Sequence, residues 1–173
     1  CLNGTHSALA YLGYLAGKDT IAEATADPAF SGLVQRMWDE EIKPTLETPQ
    51  GEDLDAYCAA LMARYQNPSI QHRTWQIAMD GSQKLPQRIL GVMAENLAAE
   101  RGIGLQSLAV AAWMIYVSGT DEKGQDIDVR DPKADRLREA ARSENAVQSL
   151  LAMDDIFPAG LARTPAFSDA VQT

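Results

Sequence analysis

Histidine is nearly absent from this 173-residue chain, which has only His6 and His72. Cysteine is equally scarce, at Cys1 and Cys58. These four residues have no close spacing, so a zinc site is not expected. Two cysteines, one of them the first residue, make no disulfide framework, and a reducing cytoplasm is the expected setting. Cations are outnumbered, with 15 Lys and Arg against 24 Asp and Glu and a net charge of −9. Binding nucleic-acid phosphates needs clustered Lys and Arg, so nucleic acid is not an expected partner. A small anion held by one or two local cations is not excluded. The longest apolar run, Leu108–Val117, is about half of the ~20 residues that span a bilayer, so no membrane is expected either.

Familiar nucleotide and metal signatures are missing too. There is no Gly-rich phosphate loop. Gly102-Ile-Gly104-Leu-Gln-Ser lacks the third Gly of a dinucleotide fingerprint and follows a helical pattern rather than a strand, so it reads as a loop. Asp126 and Asp128 lack EF-hand spacing, so calcium is not expected. The acidic stretch Asp39-Glu40-Glu41 reads as solvated surface.

What is present is helical patterning. Apolar residues make up 46% of the chain, enough for one domain with its own core. Leu9, Leu12 and Leu15 form a stripe over 8–16, which Gly17 stops. Asp27-Pro28 reads as an N-cap with Pro at the first helical position, opening a helix that should end before Pro44. Further helices are expected over 52–66, 70–79, 84–101 and 105–117, the last apolar on nearly every face and so central. Residues 120–131 read as extended and polar, and 131–142, 146–157 and 165–171 as helices. With loops around 47–51, 66–69 and 119–131 and no sustained alternation, the expectation is an all-α domain over 1–173.

Three segments concentrate polar groups on otherwise apolar helices. In the first, Asn3-Gly4-Thr5-His6, Asn and His share one face of a helical turn. There Asn can bind a substrate oxygen and His can exchange a proton. The competing reading is a helix cap with His6 exposed. The second, 67–78, carries His72, Arg73, Thr74 and Gln76 and is either a pocket wall or a solvated face. The third, 80–88, has a Gly-Ser break that brings Lys84 to a helix start. There the backbone dipole favours an anion, and a Lys is misplaced unless something negative binds.

Taken together, these segments resemble the C-terminal domain of the mannitol dehydrogenase family, the polyol-specific long-chain dehydrogenases. That family's signature is Lys, four residues, Asn, two residues, His. Asn3 and His6 match its last two members, followed by Ser7-Ala8-Leu9-Ala10-Tyr11. The Asn-Pro turn at 67–68 and the run from Gln76 through Asp80-Gly-Ser-Gln-Lys84-Leu-Pro86 match further downstream. The resemblance implies a multi-helix substrate domain paired with an N-terminal Rossmann domain that is absent from this chain. The chain, opening Cys-Leu-Asn without Met, is then expected to be the back part of a longer protein. The resemblance also implies metal-free hydride transfer at C2 of a sugar or sugar acid, with NAD bound mainly by the missing domain.

By the same resemblance, Asn3 and His6 are catalytic: Asn3 stabilises the developing alkoxide, and His6 holds substrate hydroxyls. Lys84 binds the distal part of the substrate. Mannitol 2-dehydrogenases tend to carry Arg where this chain has Gln76. The arrangement His72-Arg73-Thr74 looks more like the hexuronate branch, the fructuronate reductases, with Arg73 and Lys84 taking a carboxylate. That implies interconversion of D-mannonate and D-fructuronate. The alternatives are a mannitol or arabinitol 2-dehydrogenase, or a non-catalytic helical binding or dimerisation module. The face expected to meet the other domain lies near 1–12 and 70–88. The upstream gene sequence decides between classes: a Lys five residues before Asn3, preceded by a Rossmann fingerprint, is the expected finding. Its absence would leave only the binding module.

Overall fold

The computed structural model describes residues 2–47, 51 and 53–172. Cys1 and most of the loop expected over 47–51 lie outside the described residues. As expected, the domain is all-α. No strand occurs among the described residues, only isolated bridges between Thr20 and Arg73 and between Thr120 and Asp126.

Helix α1 (Leu2–Leu15) is packed between α5 (Thr74–Ala78) on one side and α8 (Gly104–Val117) on the other. Its residues Ala8, Leu9, Ala10 and Tyr11 are fully buried, so only its first turn and scattered later positions remain for any outer face. Helix α8 is the centre of the core. Trp113 meets Phe157 at 5.8 Å, and Tyr116 takes Tyr11 and Tyr14 at 5.5 and 5.2 Å. Burial of each such ring contributes about 2–3 kcal/mol before entropy is counted. The outward residues Leu108 and Ile115, seven positions apart, stay about half exposed.

Around this pair lie α2 (Ile21–Ala26), α3 (Pro28–Arg36) and α4 (Leu54–Tyr65), then α6 (Gly81–Leu85) running on into α7 (Gly91–Ala98). The chain closes with α9 (Ala134–Ala141), α10 (Ala146–Leu151), α11 (Ala159–Ala162) and α12 (Pro165–Gln172). Several boundaries differ from the sequence expectation, each for a local reason. Helix α3 ends at Arg36, but the helical run it opens does not stop before Pro44. It widens into a π turn over Met37–Ile42, and a 3-10 turn, Lys43–Thr45, then accommodates the proline near its start.

The helix expected over 70–79 is confined to Thr74–Ala78, because the backbone before it pairs with another segment. Ile21 N–H donates to His72 C=O and Thr74 N–H to Asp19 C=O, at 2.9 and 3.0 Å. The helix expected from residue 84 instead begins at Gly81 and continues to Ala98 through a π turn over Pro86–Leu90. Pro86 has no N–H for the Ser82 carbonyl, and the wider turn absorbs that loss. Gly81 is required for space as well. A methyl group there would meet the Tyr11 hydroxyl at 2.6 Å and the Trp113 indole closer still.

Glu41 corrects the reading of 39–41 as solvated surface. Its side chain is buried, and its carboxylate accepts the N–H groups of Leu105 and Gln106 at 2.7 and 2.9 Å. It thereby caps the N-terminus of α8 from a distant helix. Asn96 Nδ2 holds the Glu41 carbonyl at 2.7 Å. Burial pushes this carboxyl above the usual range, while the two N–H bonds pull it back. Replacing Glu41 with Ala orphans two donors and should cost about 2–3 kcal/mol in urea unfolding. Glu40→Ala, at an exposed neighbour paired with Arg36, should leave the urea midpoint nearly unchanged.

Candidate functional site

The first turn of α1 carries Asn3, His6 and Ser7 on one face, by the three- and four-residue spacing of a helix. Its position is fixed from several directions. Tyr65 Oη donates to Leu2 C=O at 2.9 Å and lies 3.2 Å from Thr5 Oγ1, and Trp38 Nε1 donates to Thr5 Oγ1 at 3.3 Å. On the other side, Gly4 lies against the π turn. A Cβ on Gly4 would stand 2.8 Å from the Arg88 carbonyl oxygen. Glycine at position 4 thus lets the backbone of α1 approach that of the α6–α7 helix.

The helix face so placed is partly open: Asn3 is exposed and His6 half-buried. The His6 ring stacks on Tyr65 at 5.5 Å and meets His72 at 5.2 Å, so the structure brings these two histidines together from separate segments. His6 Nε2 is buried and has no hydrogen-bond partner among the described residues. The His6 pKa falls from its ordinary 6.5 to about 4. Burial is the main cause, and the positive neighbours His72, Arg88, Arg64 and Lys84 push the same way. At neutral pH, His6 is therefore an uncharged imidazole able to donate or accept a hydrogen bond.

Lys84 lies in this neighbourhood, though not for the reason expected. The helix N-terminus at Gly81 already has its anion: Asp131 accepts Ser82 N–H at 2.8 Å and the Ser82 hydroxyl at 2.6 Å. Lys84 instead donates to the carbonyls of Met79, at 2.6 Å, and Ile77, at 3.4 Å, just after and within α5. An ammonium has three donors, so these two acceptors leave one for another partner. Burial lowers the Lys84 pKa, and Arg88 lowers it further. Arg73 takes a different position. It is exposed, at the start of α5, and lines a cleft with Tyr14, Asp19, Glu23, Gln71 and Trp75. His72 and Arg73 are adjacent in sequence, but only His72 touches His6.

Two residues that the sequence reading passed over belong here. Arg88 Nη1 donates to Ser7 Oγ at 3.1 Å, and Ser7 is buried. Arg64, exposed on α4, adds positive potential at His6. Arg88 was legible in principle, since it follows Lys84 by four residues and so shares its helix face. Arg64 was not, because only tertiary packing brings α4 to α1.

The chain is thus an all-α domain that sets Asn and His, with this spacing, on a helix beside a Gly-Ser-Gln-Lys turn. Residues 1–173 match the mannitol dehydrogenase C-terminal domain throughout, and the chain belongs to that family, whose members are oxidoreductases. It is 44% identical to the D-mannonate oxidoreductase of Escherichia coli, over 98% of this chain and 36% of that protein. It is 45% identical to an uncharacterized oxidoreductase of the same organism, over 99% and 36%. Among solved structures, the Pseudomonas fluorescens mannitol 2-dehydrogenase ternary complex with NAD and D-mannitol superposes with a TM-score of 0.94. That similarity is at 32% identity and covers 99% of this chain and 35% of the other. The chain thus spans about a third of the length of the relatives it matches.

The depressed pKa of His6 makes a pH prediction. Between about 4 and 6.5 the unfolded chain carries a proton on this residue that the folded chain refuses. The stability associated with neutral His6 is therefore present above pH 6.5 and lost as pH falls through that window. Urea unfolding at pH 7 and pH 4.5 should show a smaller loss for His6→Gln than for the wild type.

Proposed function

We propose that this chain is the substrate domain of an NAD-dependent oxidoreductase that interconverts D-mannonate and D-fructuronate by hydride transfer at C2. The observation that carries this reading is the cationic surrounding of the Asn3–His6 face. His6 meets His72, and the charges of Arg88, Arg64 and Lys84 act on it; none of the two arginines and the lysine forms an ion pair among the described residues. A carboxylate substrate complements such a site; a neutral polyol does not. The likeness to a D-mannonate oxidoreductase supports the same substrate class. The mannitol 2-dehydrogenase likeness keeps mannitol or arabinitol as the second reading.

In this reading the Asn3 amide donates to the reacting oxygen and stabilises charge as the carbonyl becomes alkoxide. Neutral His6, with its unused Nε2, binds a substrate hydroxyl, and His72 borders the same space. Lys84 directs its remaining N–H toward the distal end of the substrate. The general acid/base is a Lys five residues before Asn3. NAD accepts or supplies the hydride when bound. The N-termini of α8 and α6 are taken by Glu41 and Asp131. In this reading the cofactor is held mainly by an N-terminal Rossmann domain, and a cytoplasmic setting suits the low cysteine content.

With the full-length protein, D-fructuronate should be reduced with a higher kcat/KM than D-fructose. Preference for the neutral ketose would overturn the substrate assignment in favour of a polyol dehydrogenase. Asn3→Ala should lower kcat about 100-fold with a much smaller change in KM, as expected for a donor used mainly in the transition state. NADH oxidation above background by residues 1–173 alone would contradict the division of labour between domains.

A further inference from the structure

Lys84 and Arg88 are a like-charged pair four residues apart on one helix, an arrangement that is destabilising when nothing lies between the charges. Their mutual repulsion contributes to the lowered Lys84 pKa. Asp80 and Asp131 moderate Lys84, but neither forms an ion pair with it among the described residues, and Asp131 is engaged with Ser82. No carboxylate contacts Arg88 among the described residues. Its guanidinium is instead anchored by one nitrogen to the buried hydroxyl of Ser7, which leaves other N–H groups of the fork free.

We propose that Arg88, rather than Arg73, grips the carboxylate of a sugar-acid substrate and so sets the preference for acids over neutral polyols. The inference rests on the proposed function above. Ser7 lies four residues, about one helical turn, beyond Asn3 on α1, so Arg88 is tethered one turn along the helix from the residue whose amide is assigned to the reacting oxygen. In a hexuronate the reducible carbon and the carboxylate sit toward opposite ends of the carbon chain, which this separation suits. A planar fork with several free donors matches a carboxylate better than the point charge of Lys84. Arg73 is less well placed. It lines a cleft with Asp19 and Glu23, whose carboxylates compete with a substrate's, and it is not among the charges acting on His6.

The test uses full-length enzyme and two substrates, D-fructuronate and D-fructose, with wild type, Arg88→Gln, Arg88→Lys and Arg73→Gln compared. Arg88→Gln should lower kcat/KM for fructuronate about 100-fold, chiefly through KM, and at least about tenfold more than it lowers kcat/KM for fructose. Arg88→Lys, which keeps the charge and the packing, should lose about 10-fold on the acid alone. Equal losses on both substrates for Arg88→Lys, or no loss for either Arg88 variant, would overturn the assignment. So would a loss of acid preference in Arg73→Gln but not in Arg88→Gln. A wild type that does not favour fructuronate defeats the substrate reading itself, and that failure is visible before any variant is made.

Discussion

The site depends on how closely the start of α1 can approach the α6–α7 helix. That distance is fixed by a missing side chain: Gly4 lies against the Arg88 carbonyl with no room for even a methyl group. From this contact the rest follows. Asn3 and His6 share one face of the turn that contains it, Ser7 comes within reach of the Arg88 guanidinium, and His72 comes to lie against His6. The widened turn over Pro86–Leu90 is the counterpart on the other helix, presenting bare backbone at the point of approach.

Two acids organise the interior in the same way. Glu41 and Asp131 each leave their own segment to cap a helix elsewhere, Glu41 at α8 and Asp131 at α6. Each fills an N-terminus that an anionic ligand could otherwise use. In the proposed function, the positive charge that meets an anionic substrate is then that of side chains around His6 rather than of these two helix ends.

Much of the fold was legible from periodicity. The apolar stripe of α1, the all-round apolarity of α8 and the Asp27-Pro28 start of α3 are written in short-range spacing, and all three helices occur. Glu41 was read as solvated because its neighbours Asp39 and Glu40 are, and only the π turn over Met37–Ile42 turns it inward. The helix expected over 70–79 was shortened by backbone pairing with 19–21, a partner some fifty residues away that no local pattern announces. Asn3 and His6 were legible as a spaced pair. Lys84 was singled out for a vacant helix end that proved to be filled, and its position came instead from the carbonyls of Met79 and Ile77. Arg64 and Arg88 required the packed structure.

The bonds that hold the first turn of α1 come from far along the chain. The Leu2 carbonyl is held by Tyr65 and the Thr5 hydroxyl by Trp38. A short isolated helix is marginal in water, so this turn takes its order from the π turn after α3 and from α4 rather than from its own sequence alone. Its formation brings together residues more than thirty positions apart and so carries the entropy of closing those loops. The indole of Trp38 sits at that junction, so its surroundings are complete only when the Asn3–His6 face has come into being.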